Sequence, residues 1–161
     1  MFKTALIALA LTATTPALAQ TNAAFVGPRV ELNAGLDDVT QRPETNDVTY
    51  GAAVGIDAPV GDRFTLGVEG TVRNFAQDEG RTFGVAARAG VAATENVLVF
   101  GRAGYTNYED AFEQKLDGLT VGGGLNFRLT PNTYANVEYR YSDFEHNVGS
   151  HGGLVGIGVR F

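Results

Sequence analysis

Residues 135–142 read Ala-Asn-Val-Glu-Tyr-Arg-Tyr-Ser, and apolar and polar side chains alternate through the whole stretch. Successive side chains of a β-strand point to opposite faces, so one face of this segment is apolar while the other carries Glu138 and Arg140. In a helix the same apolar residues would fall on two opposite sides. The stretch therefore predicts a two-faced β-strand.

This alternation recurs along the chain, and no segment after residue 25 keeps a helical spacing of apolar residues. Most of the alternating segments are close to the ~9–11 residues with which a tilted strand crosses a bilayer. Eight strands are predicted, at 29–36, 48–57, 64–73, 82–91, 97–106, 119–129, 135–142 and 152–161.

The connections between these strands alternate in length. Short turns centre near residues 59, 95 and 131, whereas the connections at 37–47, 75–81, 107–118 and 143–151 are longer and polar. The chain is therefore expected to be a meander of hairpins with a short-turn end and a long-loop end.

Composition excludes several classes of function. The chain has 161 residues, no Cys and a formal net charge of −6. Without cysteine it has no disulfide, thiolate nucleophile or cysteine-bound metal. An acidic chain is also a poor partner for nucleic acid, which is bound by neutralising phosphates.

The first nineteen residues have the pattern of an export signal. Lys3 precedes the apolar stretch 4–11, and the segment ends in Ala17-Leu18-Ala19. This order predicts a signal peptide over 1–19, cleaved after Ala19, and a barrel over 20–161. The alternative, a short membrane anchor, is disfavoured because large apolar residues are few here.

The two faces of the predicted strands differ sharply in charge. The apolar faces carry no charged residue. A soluble barrel would turn the apolar face inward, whereas a membrane barrel turns it towards lipid and encloses the charges. The opposite faces carry Arg29, Arg73, Arg88, Arg102, Arg128, Arg140, Arg160, Glu31, Asp57, Glu69 and Glu138.

Three features favour the membrane barrel. The charged faces also hold 12 glycines, which would leave room for long side chains in a narrow lumen. The loops are long at one end only, as in outer-membrane barrels. Finally, aromatic residues of the apolar faces form two girdles, Tyr50, Phe83, Tyr105, Tyr139 and Tyr141 near the long-loop end and Phe64, Phe127 and Phe161 near the other.

The enclosed charges need partners, because unpaired charge away from water is costly. We expect an Arg/Glu network that fills the lumen. The alternative is a narrow pore that prefers anions, since the seven arginines exceed the four acids by +3. The residues expected to form the network are Glu31, Glu69, Arg73, Arg88, Arg102, Arg128, Glu138 and Arg140.

Three segments resemble the small outer-membrane β-barrel family of Gram-negative bacteria, the OmpA-like and OmpX-like barrels. Residues 136–144 resemble its penultimate strand and 101–105 its fifth. The ending at 156–161 is similar to its C-terminal assembly signal, apart from the apolar Leu154. The resemblance implies that this signal consists of Gly156, Ile157, Val159 and Phe161.

The same resemblance implies an all-β fold, an eight-stranded antiparallel up-and-down transmembrane β-barrel in the cell outer membrane. Its partners would be outer-membrane lipid and lipopolysaccharide, with the barrel-assembly machinery and periplasmic chaperones during biogenesis. The protein would be a monomer without a cofactor.

Catalysis is weighed because a lipid A deacylase and a lipid A palmitoyltransferase use comparable barrels. The two histidines, His146 and His151, lie near Ser142, Glu145 and Ser150. In a strand, Ser150 and His151 would point to opposite faces. We therefore expect solvated histidines, no catalytic residue and no metal site, with haem or metal capture as the alternative.

The four long connections contain 12 acidic residues against Arg42, Arg81 and Lys115. This charge is expected to be solvated, although it could also recruit divalent cations or repel anions. The expected function is a structural or surface-interaction role without catalysis. The alternatives are a narrow pore for ions or small solutes and, third, a lipid A-modifying enzyme.

Overall fold

The computed structural model describes residues 23–39, 47–76, 81–109, 115–144 and 148–161. The predicted signal peptide at 1–19 lies outside the described residues, as do Arg42, Glu145 and His146. Of the described helices, none is long and apolar enough to cross a membrane.

After one 3₁₀ turn at Ala23–Phe25, the described chain consists almost entirely of strands. In chain order they are β1 (Gly27–Val39), β2 (Asp47–Val60), β3 (Phe64–Phe75), β4 (Arg81–Thr94), β5 (Val97–Glu109), β6 (Lys115–Arg128), β7 (Thr133–Phe144) and β8 (Val148–Arg160).

Each strand pairs antiparallel with its neighbours in sequence, and β8 returns to pair with β1, which closes the barrel. At the closing seam Leu32 lies opposite Ile157, and on the other side of β1 it lies opposite Ala52. The prediction of an eight-stranded antiparallel up-and-down barrel is confirmed.

The strands are longer at the long-loop end than the alternation predicts. β6 begins at Lys115 rather than at 119, and β8 begins at Val148 rather than at 152. Hydrogen-bonded pairing continues there through residues that are polar on both faces, such as Asn107 opposite Asp117. Apolar–polar alternation cannot detect a strand once it leaves the lipid, so the predicted loops were too long.

Short turns join the strands at the other end. Gly61 has a positive φ of 65° between β2 and β3, a conformation that side-chain-bearing residues rarely adopt. Between β4 and β5 the register shifts at Ala92 and Thr94, and the backbone amide of Asn96 donates to the Thr94 hydroxyl at 3.2 Å. These turns place both described chain ends at the short-turn end.

The barrel encloses its charges and exposes its apolar face. Leu32 and Leu119 are 64% and 68% exposed, whereas Asp57 and Glu31 are each 3% exposed. Twenty-six large hydrophobic residues are exposed in the described chain. A surface of this kind is stable in lipid and would aggregate in water. The soluble alternative is therefore excluded.

Candidate functional site

The inward faces of the strands meet in a charged lumen, and the cluster nearest the short-turn end is built around Asp57 on β2. Its Oδ2 lies 3.1 Å from Nε of Arg29, 3.2 Å from Nη1 of Arg88 and 2.8 Å from Nη1 of Arg160. These arginines belong to β1, β4 and β8. One carboxylate therefore neutralises guanidinium groups from three strands.

The network continues towards the middle of the lumen through Glu69 and Glu138. Nη2 of Arg29 donates to Oε2 of Glu69. Nη1 of Arg102 lies 2.6 Å from the other oxygen of that carboxylate, Oε1. The two groups form an ion pair, but their geometry is not that of a hydrogen bond. Arg102 also reaches Oε1 of Glu138 at 3.3 Å, and Nε of Arg140 donates to the same oxygen at 2.5 Å. Alternating charges therefore cross the barrel.

Amides connect this network to Glu31 on β1. Arg88 donates to the side-chain oxygen of Asn126, whose amide donates to Asn136 at 3.1 Å. Asn136 in turn donates to Oε1 of Glu31 at 3.0 Å, and Asn33 donates to that oxygen at 3.4 Å. These asparagines were not predicted as members of the network, although they occupy inward positions of their strands, as the charged residues do.

A second charged cluster lies nearer the long-loop end. Nη2 of Arg73 donates to Oδ2 of Asp37 and to the Thr49 hydroxyl, the latter at 2.7 Å. Asp37 and Asp47 are both buried. They had been assigned to a solvated loop, and the structure corrects this because β1 and β2 extend far enough to turn both inward.

Arg128 does not join the network. It lies beside the turn between β4 and β5, where its Nε and Nη2 donate to Oδ1 of Asn96 at 3.0 and 2.8 Å. Its position at the end of β6 puts it beyond the other lumenal charges. With Arg128 outside and Asp37 and Asp47 inside, the described lumen contains six arginines and six acids. Its formal charge is zero rather than the expected +3.

Glycine provides the room that these side chains occupy. A Cβ at Gly156 would lie 2.9 Å from Oε1 of Glu31, and a Cβ at Gly55 would lie 3.1 Å from Nη2 of Arg29. At Gly67 and Gly152 a Cβ would collide with the carboxylates of Asp57 and Asp37. The inward glycines therefore hold open the space for charge.

The short-turn end of the lumen is closed by an apolar plug. Phe25, 1% exposed, packs inside the barrel against Ala92, Leu98 and Phe100. Nη1 of Arg160 donates to the carbonyl of Phe25. The plug was not predicted, because its aromatic residue precedes the first strand and so has no alternation to reveal it.

The network and the plug meet inside the lumen. The guanidinium carbon of Arg88 lies 3.7 Å from the ring centroid of Phe100, which links the two. The gap left between Arg29, Glu69 and Phe100 is too small for a water molecule. Of the described residues, no group of three His, Cys, Asp or Glu is placed to hold a metal ion.

The described serines and histidine do not converge on a catalytic arrangement. His151 on β8 is exposed on the outer face, with its ring centroid 6.4 Å from that of Tyr139. Ser150 occupies the opposite face, and the Ser142 hydroxyl is bonded to that of Thr120 at 2.9 Å in the lumen. In the described chain, therefore, His151 has no serine on its own face of the strand.

The remaining predicted residues, apart from Gly156, lie on the lipid face. In β8 and the residue after it, Ile157, Val159 and Phe161 are exposed, and the Phe161 amide donates to the carbonyl of Pro28 at 2.9 Å. Gly156 faces the lumen. The aromatic residues Tyr50, Phe83, Tyr105, Tyr139, Tyr141, Phe64 and Phe127 are all exposed on the outer surface.

Known structures share this architecture. Ail, the attachment invasion locus protein of Yersinia pestis, is 17% identical with a TM-score of 0.60, over 83% of this chain and 96% of that one. Neisserial surface protein A is 19% identical with a TM-score of 0.60, over 84% and 97%. The outer membrane enzyme PagL is 12% identical with a TM-score of 0.55, over 81% and 99%. At these identities the likeness concerns the fold alone.

No curated protein sequence matches the chain. The family model described as the outer membrane protein beta-barrel domain, in contrast, matches residues 5–161, almost the whole length. With the closed barrel, its apolar outer surface and its charged interior, this match identifies the chain as an outer-membrane β-barrel protein that belongs to the outer membrane protein beta-barrel domain family.

Proposed function

We propose that this protein is a sealed outer-membrane barrel with a structural and surface-interaction role, and that it neither conducts solutes nor catalyses a reaction. The ion pairs across the lumen and the plug at its short-turn end carry the proposal. Arg29, Glu69 and Arg102 form consecutive ion pairs across the barrel, and Phe25 blocks the short-turn end. A solute would have to separate several buried ion pairs to pass, which would leave charges without partners away from water.

The charge balance of the lumen also disfavours the pore. An anion-preferring channel requires excess positive charge along its walls, whereas the described lumen pairs six arginines with six acids. An electrically neutral, filled interior suits a barrel that is rigid rather than conductive.

The surface role is supported by the long-loop end, where the strands continue past the aromatic girdle at that end. Apart from the buried Asp37 and Asp47, the four connections and their flanking residues carry 10 acids against three cations. Ail, whose fold is similar, is named for attachment and invasion and has been solved with the heparin analogue sucrose octasulfate. The acidic rim of this protein favours a cationic partner over such a sulfated one.

The lipid A-modifying alternative is weakened by the outward His151, whose neighbour Ser150 faces the other way. PagL shows that an enzyme can use this fold. Its likeness to this chain, at 12% identity, transfers no catalytic residue.

Conductance of the refolded protein in planar bilayers tests the sealed lumen. The wild-type protein is expected to give no current steps above the bare bilayer. The triple variant Phe25→Ala, Arg29→Ser and Glu69→Ser removes the plug's ring and the three ion pairs of Arg29 and Glu69 without changing net charge, and it is expected to conduct. Steps from the wild-type protein would overturn the proposal in favour of the pore.

Expression in a host with defined lipid A tests the enzyme alternative. The mass spectrum of lipid A is expected to be the same with and without the protein. Loss or gain of an acyl chain would overturn the non-catalytic role, and His151→Ala would then show whether the outward histidine takes part.

A further inference from the structure

The lipid-facing surface contains a groove that the sealed lumen does not explain. It has a volume of about 510 Å³ and runs across β2, β3, β4 and β5. Its outward side chains form two register rows, Val54, Gly70, Val85 and Tyr105 in one and Ala52, Val72, Phe83 and Asn107 in the next towards the long-loop end.

Gly70 makes the surface concave. It is paired with Val54 on one side and Val85 on the other, so a position without a side chain lies between two branched residues. A Cβ there would meet no atom closer than 3.9 Å, in contrast to the inward glycines that contact charged groups. The groove is therefore open space on the lipid face and no part of the lumenal packing.

A polar row lies directly above the groove. The next register positions are Tyr50, Asn74 and Arg81, about 7 Å further along the strands. Nε of Arg81 donates to the side-chain oxygen of Asn74 at 3.0 Å, which orients the guanidinium group on the outer surface. Tyr50 belongs to the aromatic girdle, so this row lies at the height of lipid headgroups.

The charge at this row is unusual for its surroundings. Among the outward side chains described at the long-loop end, Arg81 is the single cation, on a rim where 10 acids occur in sequence besides the inward Asp37 and Asp47. The register places Glu109 opposite Arg81 on β5. A guanidinium group above an apolar groove, at the level of headgroups, is complementary to a phosphate that carries acyl chains.

We propose that the groove and Arg81 form a binding site for one lipid A moiety of lipopolysaccharide. Its acyl chains would lie in the groove, and one of its phosphates would bind the guanidinium group of Arg81. The groove spans three strand spacings, about 14 Å, which is wide enough for more than one chain of a multiply acylated lipid. This proposal requires that the long-loop end of the barrel face the outside of the cell, where the leaflet that holds this lipid lies. It does not depend on whether the lumen conducts.

Two substitutions test the two halves of the site. Gly70→Leu fills the groove from the lipid side without touching the lumen, and Arg81→Gln removes the charge. The matched controls are Gly153→Leu, at an outward glycine on β8 with no atom within 4 Å of its Cβ, and Arg63→Gln, in a short turn at the other end. Heat-modifiable mobility on gels establishes that each variant is folded.

Native mass spectrometry of the refolded protein, titrated with purified lipid A, measures occupancy. The wild-type protein and both controls are expected to retain one lipid A. Each test variant is expected to bind about tenfold more weakly, Arg81→Gln through loss of one charge-assisted contact and Gly70→Leu through loss of the groove. Unchanged binding by Gly70→Leu or by Arg81→Gln would overturn the proposal. Equal retention of phosphatidylglycerol or phosphatidylethanolamine by the wild type would overturn its assignment to lipid A.

Discussion

The guanidinium group of Arg160 donates a hydrogen bond to the backbone carbonyl of Phe25, although the two residues lie 135 positions apart in the chain. Arg160 also binds Asp57, so the same side chain fastens the first described turn to the last strand and to the lumenal charges. The segment before β1 is thus a structural part of the barrel.

Phe25→Ala is expected to lower the free energy of unfolding by about 3 kcal/mol, because it leaves a cavity among Ala92, Leu98 and Phe100. Phe25→Leu keeps most of the buried volume and is expected to cost less than about 1.5 kcal/mol. Urea unfolding in lipid vesicles measures both. Equal midpoints for the alanine variant and the wild type would show that the plug does not stabilise the barrel.

Glu138→Gln is expected to destabilise the barrel by about 3–5 kcal/mol, because Arg102 and Arg140 would lose a buried carboxylate while the side-chain shape is kept. The control is Asp143→Asn, an exposed acid on the same strand, whose effect should stay within about 0.5 kcal/mol. The same urea titration compares them. Coincident transitions would mean that water, rather than arginine, solvates the lumenal carboxylates.

Gly67→Ala is expected to lower stability by about 1–3 kcal/mol through overpacking. Its Cβ would collide with the Asp57 carboxylate and lie 2.5 Å from the carbonyl oxygen of Ile56. Gly153→Ala, which faces open space, is expected to raise stability by about 0.4–1 kcal/mol by restricting the unfolded chain. The difference between the two unfolding midpoints is the measurement, and a neutral Gly67→Ala would refute the role of glycine as lumenal space.

Topology is tested by adding protease to intact cells. Because 40–46 and 110–114 lie between the ends of paired strands at the long-loop end, cleavage is expected in one of these segments. A tag placed after Gln20 is expected to stay intact, since Phe25 lies at the opposite end. Loss of the tag with intact segments would reverse the assigned orientation.

Assembly is tested at the C-terminus. Deletion of Phe161, or Phe161→Asp, is expected to reduce the heat-modifiable folded form in cells, because this aromatic residue ends the predicted assembly signal. Phe127→Asp places the same charge in the same girdle on another strand and serves as the control. If both substitutions reduce folded yield equally, Phe161 acts through the girdle and not as a signal.

Much of the fold could be predicted because lipid imposes a strict alternation on the chain. Residues such as Leu32, Val85 and Tyr139 all face outward as their parity indicates. The strand ends could not be predicted, since beyond the lipid both faces are polar and the alternation disappears. Asp37 was misplaced for this reason, and with it the charge of the lumen.

The sequence predicted which charged residues face the lumen, but not which of them form ion pairs. Parity placed Glu69 and Glu138 inside, and arginine was expected beside both. The contacts of Arg29 with both Asp57 and Glu69 could not be predicted. They depend on how the barrel closes, which brings β1 near β3 across the lumen. Phe25 could not be assigned at all, because a single residue before the first strand has no periodicity.

The distribution of the Asp57 contacts has a consequence for how the barrel enters the membrane. Its partners Arg29, Arg88 and Arg160 belong to the first, fourth and last strands, so the full set exists only after β8 has met β1. A partly inserted sheet would carry bare guanidinium groups into hydrocarbon, where charge is poorly tolerated. We therefore expect closure of the barrel to be coupled to its insertion, because Asp57 gains its last arginine only when β8 is in place.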